Sequence, residues 1–315
     1  MYTCEYIEHG LVFGYRKLYV CCVQHSGTYG WIPVCDYFGG TLPLDAIIDK
    51  KKKLRVENIA DGDVSCRTCY LFRKKESLSD FQQFKLLNFS HYSFCNLRCD
   101  YCYLTADEKK GGKLATIKDD YDIFPVLVDM FNRSLVSQNC DVFWGGGEPL
   151  LLNKFDDILN LLLSRNCMVH LNSNSTFFSE AVFSHLKNPN LELVTAVDAG
   201  TPELYFHTKK RNLFHKVWDN LGRYSSTGGN VSVKYIITDN NCSEEQAKSF
   251  ADLVKKHQIK SVVIDLDNNI RYPEKKHRDM FILLKIYLKD KKIHESKGLF
   301  SSPEKSKTFS LKVIG

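Results

Sequence analysis

Three cysteines in the segment HYSFCNLRCDYCYL have the residue type and the spacing to bind a metal cluster. Cys95, Cys99 and Cys102 form a C-x3-C-x2-C pattern, which places three thiols on one short loop. Thiolate ligands in near-tetrahedral sites select iron–sulfur clusters or zinc. Three thiolates hold three corners of an iron–sulfur cube and leave its fourth iron open. A structural zinc site, with His91 as the fourth ligand, is the alternative.

The elements that must position this loop are six apolar strand-like runs that alternate with helical periodicities. We predict strands at 84–90, 141–144, 168–172, 192–197, 231–237 and 261–265. We predict helices at 121–135, 154–164, 179–186, 213–224, 243–257 and 275–289. Strict alternation indicates a parallel sheet covered by helices. Because a closed eightfold barrel needs about 250 residues, this shorter segment predicts an α/β fold with a partial (β/α)6 TIM-like barrel, whose chemistry lies at the carboxyl ends of the strands.

The stretch CNLRCDYCY, with Tyr101 just before the third cysteine, resembles the signature of the radical S-adenosylmethionine (SAM) enzymes. The resemblance extends over about residues 84–270. It implies that Cys95, Cys99 and Cys102 bind a [4Fe–4S] cluster whose free iron chelates the amino and carboxylate groups of SAM. One-electron reduction then yields a 5′-deoxyadenosyl radical, which takes a hydrogen atom from the substrate. The resemblance also implies a one-electron reductant such as flavodoxin or ferredoxin as partner.

Segments at the ends of the later strands resemble the SAM-binding motifs of this family. FWGGGEP looks like its Gly-Gly-Glu-Pro motif, in which glycines allow a close backbone approach and a carboxylate accepts hydrogen bonds from an ammonium group. The stretch around 174 resembles the Thr-Asn-Gly stretch of relatives, and the one around 198 resembles their Ser-x-Asp-Gly segment. The resemblance assigns cofactor binding to Tyr101, Gly146, Gly147, Glu148, Pro149, Asn174, Asp198, Arg211 and Lys234. Capping of the following helix is the alternative role for Asp198, and no catalytic residue is assigned.

A second group of cysteines lies in the first 70 residues. Its spacing is similar to that of the Twitch and SPASM modules, which hold auxiliary [4Fe–4S] clusters. The resemblance implies a second cluster on Cys4, Cys21, Cys66 and Cys69, where Cys22 or Cys35 can replace either of the first two. A zinc ribbon uses the same kind of four-thiolate set and is the alternative.

These patterns predict three parts of the chain. A small N-terminal cysteine-rich iron–sulfur domain occupies 1–80, a radical SAM core occupies 81–293, and a C-terminal extension occupies 294–315. Twelve cysteines at close spacing favour metal binding over disulfides in a reducing compartment. Neither a signal peptide nor an apolar run approaching the ~20 residues of a membrane span is visible. We therefore expect a cytoplasmic protein without a membrane span.

Charge and family resemblance together narrow the function. The net charge of +6, from 43 Lys and Arg against 37 Asp and Glu, is modest for a nucleic-acid binder, so we do not expect nucleic acid as a partner. We expect a radical SAM enzyme that oxidises or epimerises a small polar or sugar-like substrate, since no winged-helix leader-binding unit is visible. Peptide modification is the enzymatic alternative. A non-catalytic iron–sulfur or zinc protein is the alternative outside enzymes.

Overall fold

The computed structural model describes residues 2–21, 31–59, 73–74, 81–118, 121–270 and 272–296. The elements of the first part of the chain are β1 (Tyr2–Thr3), α1 (Glu5–His9), β2 (Gly10–Gly14), β3 (Lys17–Cys21), β4 (Ile32–Asp36), α2 (Leu44–Ile59), β5 (Arg73–Lys74) and β6 (Phe84–Ser90). They are followed by α3 (Tyr103–Lys109), α4 (Ile123–Asn132), β7 (Val136–Trp144), α5 (Phe155–Ser164), β8 (Met168–Asn172), α6 (Glu180–His185) and β9 (Leu191–Ala196). The last elements are α7 (Pro202–Lys209), α8 (Phe214–Ser225), β10 (Asn230–Ile237), α9 (Glu244–Lys256), β11 (Ser261–Leu266), α10 (Lys275–Asp290) and β12 (His294–Ser296).

The predicted alternation of strands and helices is confirmed. All six predicted strands are present as β6 to β11, and β6 and β8 have the predicted bounds. The second predicted strand starts earlier, because β7 begins at Val136 rather than 141. All six predicted helices are present as α4, α5, α6, α8, α9 and α10. The prediction missed α3, which follows the cysteine loop directly.

Short polar side chains start the helices that follow the strands. Ser179, Thr201 and Ser243 each accept a hydrogen bond from the backbone N–H three residues later, at 3.2, 3.4 and 3.4 Å. Such caps satisfy N–H groups that have no partner within the helix. None of the helices in the described ranges is long and apolar enough to cross a membrane.

The chain divides into two compact units, and unit 1 consists of residues 1–94 and 116–170. Its strand order is β4-β3-β2-β6-β7, in which β2 and β7 pair parallel with β6 and the other pairs are antiparallel. The core of this sheet contains Phe13, Phe89 and Trp144, whose rings are all buried. The ring centroid of Phe89 lies 5.8 Å from that of Phe13 and 5.7 Å from that of Trp144, and both contacts are edge to face.

A separate N-terminal cysteine-rich domain is not confirmed. The strand β2 belongs to the predicted domain 1–80, yet it pairs along its whole length with β6, which lies after residue 80. All five residues of β2 are buried, so this apolar strand needs a partner on each side. Strands β2, β3 and β4 therefore share one sheet with β6, whereas β1 and β5 pair with each other in a separate two-stranded sheet. The limits 1–80, 81–293 and 294–315 stay predictions.

Unit 2 consists of residues 95–115 and 171–315, so the division between the units falls within β8. Its strands β9, β10, β11 and β12 pair parallel in that order. Strand β12 lies at the start of the predicted C-terminal extension and adds three residues to the sheet. Trp218, Tyr235 and Phe250 pack edge to face in the core, with centroid distances of 6.0 and 4.9 Å to Phe250. The carboxyl ends of parallel strands lie at the same edge of a sheet, and the loops that follow them form ligand-binding sites there.

Candidate functional site

The cysteine loop of unit 2 contains three cysteines that are partly exposed as whole residues. Cys95 is fixed at its backbone, because its N–H donates to the carbonyl of Ala115 at 3.1 Å. Cys102 donates its N–H to the carbonyl of Cys99 at 3.1 Å, which closes a turn between the last two cysteines. The N–H of Leu97 donates to the sulfur of Cys95 at 3.4 Å, and N–H donors of this kind stabilise a thiolate. The three cysteines therefore lie on one loop whose backbone is held by hydrogen bonds.

The carboxyl end of α7 supports the backbone of this loop. Arg98 donates its N–H to the carbonyl of Lys209 at 3.1 Å, and Asp100 donates its N–H to the carbonyl of Thr208 at 3.1 Å. The last carbonyls of a helix have no partner within the helix and are available to such donors. These bonds pair the last carbonyls of α7, and they fix the backbone of the loop on both sides of Cys99.

Two basic side chains that follow α7 also contact the loop. Lys210 has a left-handed backbone with φ 60°, and its ammonium lies 3.0 Å from the carboxylate of Asp100. Arg211 donates from Nε to the backbone carbonyl of Asn96 at 3.2 Å. Arg211 is exposed, so its remaining N–H groups are available to an anion. The predicted cofactor residue Arg211 therefore lies beside the loop.

Tyr101, Asp198 and Lys209 form a buried polar cluster in unit 2. The Lys209 ammonium contacts the Asp198 carboxylate and donates to the Tyr101 hydroxyl at 2.6 Å. The Tyr101 hydroxyl donates to Oδ2 of Asp198 at 2.5 Å. Burial lowers the pKa of Lys209, but Asp198, Cys99 and Tyr205 together outweigh it and raise this pKa well above its usual range. Burial and the Asp198 charge likewise raise the pKa of the Tyr101 phenol.

This cluster changes the interpretation of Asp198. The alternative that Asp198 caps the next helix is wrong, because Thr201 is the cap of α7. Asp198 has a left-handed backbone with φ 63° and is 0% exposed. Its carboxylate is bonded to Lys209 and Tyr101, so as placed it serves the protein interior. A direct contact between Asp198 and a cofactor stays a prediction.

Asn174 follows β8 and belongs to a second polar network on the loop. It donates from Nδ2 to the side-chain carbonyl of Asn96 at 2.9 Å, and the same Nδ2 lies 3.9 Å from the sulfur of Cys95. Asn96 also donates from its own Nδ2 to the hydroxyl of Thr176 at 2.9 Å. The predicted cofactor residue Asn174 therefore contacts the cysteine loop. Another predicted cofactor residue, Lys234 on β10, lies with its ammonium 3.8 Å from the carboxylate of Asp265.

In unit 1, the glycines after β7 hold the residues that come just before the cysteine loop. Gly147 donates its N–H to the carbonyl of Tyr92 at 2.7 Å, and Glu148 donates its N–H to the carbonyl of Phe94 at 2.8 Å. A side chain at 147 would overlap the carbonyl oxygen of Phe94, and Gly146 has a φ of 87°. Both positions therefore require glycine.

Glu148 and Pro149 begin a short 3-10 helix in unit 1. Oε1 of Glu148 accepts a hydrogen bond from the N–H of Leu150 at 3.2 Å, and Pro149 occupies the first turn. The Glu148 side chain is buried. The four predicted residues of the Gly-Gly-Glu-Pro motif thus form one ordered turn at the end of β7.

The first-domain cysteines differ from those of the loop. Cys4 and Cys21 are buried in one apolar cluster of unit 1, and Cys4 accepts a hydrogen bond at its sulfur from the N–H of Ile7 at 3.5 Å. The alternate ligand Cys35 lies in β4 and is partly exposed. Three further predicted ligands lie outside the described residues, namely Cys22, Cys66 and Cys69.

Burial raises the pKa of two of the loop thiols, those of Cys99 and Cys102. It raises the pKa of Cys99 to about 11, against an opposing effect of the Lys209 charge. It also raises the pKa of Cys102, against hydrogen bonds from the backbone N–H groups of Leu104 and Thr105. Metal ligation by these thiols must therefore release protons.

The metal-free thiols are not gathered around a common centre. As the side chains stand, no three His, Cys, Asp or Glu residues in the described ranges could hold a metal ion. His91, the fourth ligand of the zinc alternative, is buried in unit 1 against Phe89 and Tyr121, and burial lowers its pKa to about 3.

Comparison with known families agrees with the spacing of the cysteines. The sequence model of the radical SAM superfamily matches residues 89–254, which is more than half of the chain. The chain belongs to the radical SAM superfamily. Members of this superfamily are enzymes, and membership implies a [4Fe–4S] cluster and SAM. The matched range includes the cysteine loop, the Gly-Gly-Glu-Pro turn and the Asp198 cluster.

One curated relative and two solved structures illustrate the similarity. A probable GTP 3′,8-cyclase of Methanocella arvoryzae is 26% identical over 177 residues, which are 55% of this chain and 54% of that protein. The chain thus spans about half the length of this relative. SuiB of Streptococcus suis bound to its precursor peptide SuiA gives a TM-score of 0.53 at 14% identity, over 86% of this chain and 57% of that chain. Native anSMEcpe with bound AdoMet and Cp18Cys peptide gives 0.50 at 19% identity, over 67% and 62%.

At these identities the solved structures show the fold alone. The predicted α/β class with a mostly parallel sheet is confirmed, and this fold is similar to the partial TIM barrels of radical SAM proteins. A Twitch or SPASM auxiliary module is not confirmed. The predicted oxidoreductase or epimerase type is not supported either, because the curated relative is described as a cyclase.

The sequence analysis missed two residues that support the loop. Lys209 was passed over in favour of the neighbouring Lys210 and Arg211, although the Lys-Lys-Arg run marks the whole segment as basic. Asn96 carries bonds to both Asn174 and Thr176. Its place between the first two cysteines was a signal that the prediction did not use.

Proposed function

We propose that this radical SAM protein reductively cleaves SAM at a [4Fe–4S] cluster held by Cys95, Cys99 and Cys102. The observation that carries the proposal is the C-x3-C-x2-C loop itself, within the range that matches the superfamily. Three thiol donors on one loop fit a cluster with one open iron. The N–H of Leu97 that reaches the sulfur of Cys95 also fits, because such donors accompany ligating thiolates.

The chemistry that the bound cluster supplies is one electron, which cleaves the carbon–sulfur bond of SAM into methionine and a 5′-deoxyadenosyl radical. The residues of this chain have other tasks. The end of α7 and Asn174 hold the thiols in place. The electron comes from a one-electron reductant such as flavodoxin or ferredoxin.

Several residues are proposed to bind SAM. The exposed guanidinium of Arg211 and the Lys234 ammonium are candidates for its carboxylate, since both are cations of unit 2 with remaining donor capacity. The turn Gly146, Gly147, Glu148 and Pro149 is the candidate for its amino group. Tyr101, Asn174 and Asp198 complete the proposed set, with Tyr101 and Asp198 contributing through the buried cluster that they form with Lys209.

The substrate is proposed at the level of chemical class. A small polar molecule is the first candidate, and the relation to a probable GTP cyclase supports a polar substrate. A peptide is the second candidate, because SuiB and anSMEcpe, which share the fold, are described as bound to peptides. Oxidation or epimerisation of a sugar-like substrate remains a proposal without support from these relatives.

An auxiliary cluster is proposed for the N-terminal cysteines. Cys4 and Cys21 lie in one buried apolar cluster of unit 1. Cys66 and Cys69 would supply the remaining ligands. Iron analysis tests this proposal, since about eight irons per chain support two clusters, whereas about four irons with one zinc support the ribbon alternative.

The experiment that tests the function is anaerobic reconstitution followed by dithionite and SAM. We expect 5′-deoxyadenosine and methionine in the wild-type protein. Replacing Cys99 with Ala removes one thiolate, so cleavage should fall to the background of protein-free mixtures. An intact cluster that yields no 5′-deoxyadenosine would refute the proposed function.

Deuterium transfer from candidate substrates into 5′-deoxyadenosine then separates the two substrate classes. A labelled sugar or nucleotide that passes deuterium supports the polar substrate. A labelled peptide that does so supports the alternative.

A further inference from the structure

The Lys209 cluster is anchored to strand β10 as well as to the cysteine loop. Oδ1 of Asp198 accepts the backbone N–H of Ile236 at 2.7 Å, and the backbone carbonyl of Asp198 accepts from the side chain of Asn241 at 3.1 Å. Asp198 has a left-handed backbone two residues after the end of β9. The carboxylate is therefore a fixed point, to which the ammonium of Lys209 is bound.

Lys209 connects this fixed point to the cysteine loop. Its ammonium donates to the Tyr101 hydroxyl, and Tyr101 lies in the turn between Cys99 and Cys102. Its backbone carbonyl accepts the N–H of Arg98, on the other side of Cys99. One residue thus contacts the loop through both its side chain and its backbone.

A buried ion pair of this kind contributes little net stability. Removing two charges from water costs about as much as their attraction returns, and well-packed apolar side chains can replace such pairs without loss. Lys209 is 1% exposed and Asp198 is 0% exposed, so both desolvation costs are large. The bonds of Lys209 do, however, select one orientation of Tyr101, which an apolar residue could not select.

We propose that Lys209 is a positioning residue, which fixes the backbone of the turn from Cys99 to Cys102 and so places the cluster that this loop binds toward SAM. This inference rests on the proposed function for its cluster-based test. It extends that function, because Lys209 was not among the predicted site residues. It also predicts that the loop is held before any metal binds.

The first test uses the metal-free full chain and measures hydrogen–deuterium exchange of the amides of 96–102. Lys209→Met keeps the length of the side chain but removes its donors, so exchange at Arg98 and Asp100 should accelerate by about tenfold or more. Lys209→Arg retains a cation and should restore most of the protection. Lys291→Met is the matched control, since it removes the ion pair to Asp252 in the same unit. Equal exchange in wild type and Lys209→Met would overturn the inference.

The second test measures the electron paramagnetic resonance spectrum of the reduced cluster during titration with SAM. Loss of a residue that orients metal ligands typically costs roughly 10- to 100-fold in affinity or activity. We expect Lys209→Met to need that much more SAM for the same spectral change, and Lys209→Arg to recover most of it. An unchanged titration in Lys209→Met would contradict the positioning role.

A third variant decides the matter if Lys209→Met does not fold. Tyr101→Phe removes the hydroxyl but keeps both the ring and the ion pair of Lys209 and Asp198. It should shift the exchange and the SAM titration in the same direction by a smaller factor, and no shift in either would overturn the inference. A wild-type protein without a reducible cluster would refute the proposed function instead, while the exchange of the metal-free chain would still test Lys209.

Discussion

The two described groups of cysteines lie in opposite surroundings. The cysteine residues of the loop in unit 2 are partly exposed, and hydrogen bonds from α7, Lys209 and Asn174 hold the loop around them. Cys4 and Cys21 in unit 1 are buried among apolar side chains and lie at the ends of regular elements. The loop cysteines lie on irregular backbone that hydrogen bonds hold in place. Cys4 and Cys21 lie at the ends of a helix and a strand, and apolar packing holds them in place.

This difference separates two uses of cysteine. The loop cysteines are held by hydrogen bonds to the backbone and have their proposed use only with a bound cluster. Cys4 and Cys21 already contribute packing in the metal-free chain, in addition to the auxiliary cluster proposed for them. The two sites should therefore respond differently when one sulfur is removed.

The largest expected effect comes from replacing one cysteine in each group. Cys99→Ala should abolish iron binding at the loop and SAM cleavage, yet hardly change the melting temperature of the metal-free protein. Cys21→Ala should retain SAM cleavage but lower the free energy of unfolding of the metal-free protein by about 1–2 kcal/mol, because it leaves a gap in the apolar cluster. Calorimetry and 5′-deoxyadenosine assays on both variants check this. Equal loss of cleavage in the two variants would erase the distinction.

The next effect concerns Lys51, which supports the N-terminal cysteine region. Its buried ammonium donates to the carbonyls of Tyr6, Ile7 and Gly10 at 3.0, 3.2 and 2.6 Å. Lys51→Met leaves these carbonyls without their donor, so urea unfolding should show a loss of about 3 kcal/mol. The exposed neighbour Lys52 provides the control, since Lys52→Met should change stability by less than about 0.5 kcal/mol. Similar losses of unfolding free energy in Lys51→Met and Lys52→Met would contradict the stabilising role of Lys51.

The smallest effect is a pH dependence of stability from the same residue. Burial lowers the pKa of Lys51 from 10.5 to about 7, with Arg55 acting in the same direction and Cys4, Cys21 and Glu8 opposing it. Between pH 7 and 10.5 the unfolded chain therefore binds more protons at Lys51 than the folded chain does, so stability rises with pH in this window.

From pH 7 to pH 8 the gain from Lys51 should be about 1 kcal/mol. Urea unfolding at several pH values measures the slope, and Lys51→Met should flatten it. A slope that is the same in both proteins would assign the pH dependence to other groups.

The sequence was sufficient for the alternation of elements and for the cysteine loop. The bounds of β6 and β8 follow from continuous apolar runs, and the three cysteines follow from spacing alone. The bonds between distant residues could not be predicted in this way. Nothing local in the Lys-Lys-Arg run tells which cation becomes buried, because the turn after α7 decides it.

The sheet position of the N-terminal segment could not be predicted from local sequence patterns either. The apolar run GLVFG predicts a strand in any fold, but its pairing with β6 depends on more than 70 intervening residues. A cysteine-rich segment favours an independent metal domain by composition. The burial of Cys4 and Cys21 next to that sheet is instead a consequence of tertiary packing.

The pairing of β2 with β6 also limits edge-to-edge association between copies of this protein. Without β2, the apolar backbone of β6 would offer a row of unpaired N–H and C=O groups to any passing strand. The antiparallel strands β3 and β4 move that open border outward to the sequence IPVCD. There Pro33 lacks an N–H and Asp36 carries a charge, so the sheet of unit 1 ends in a strand that resists further pairing.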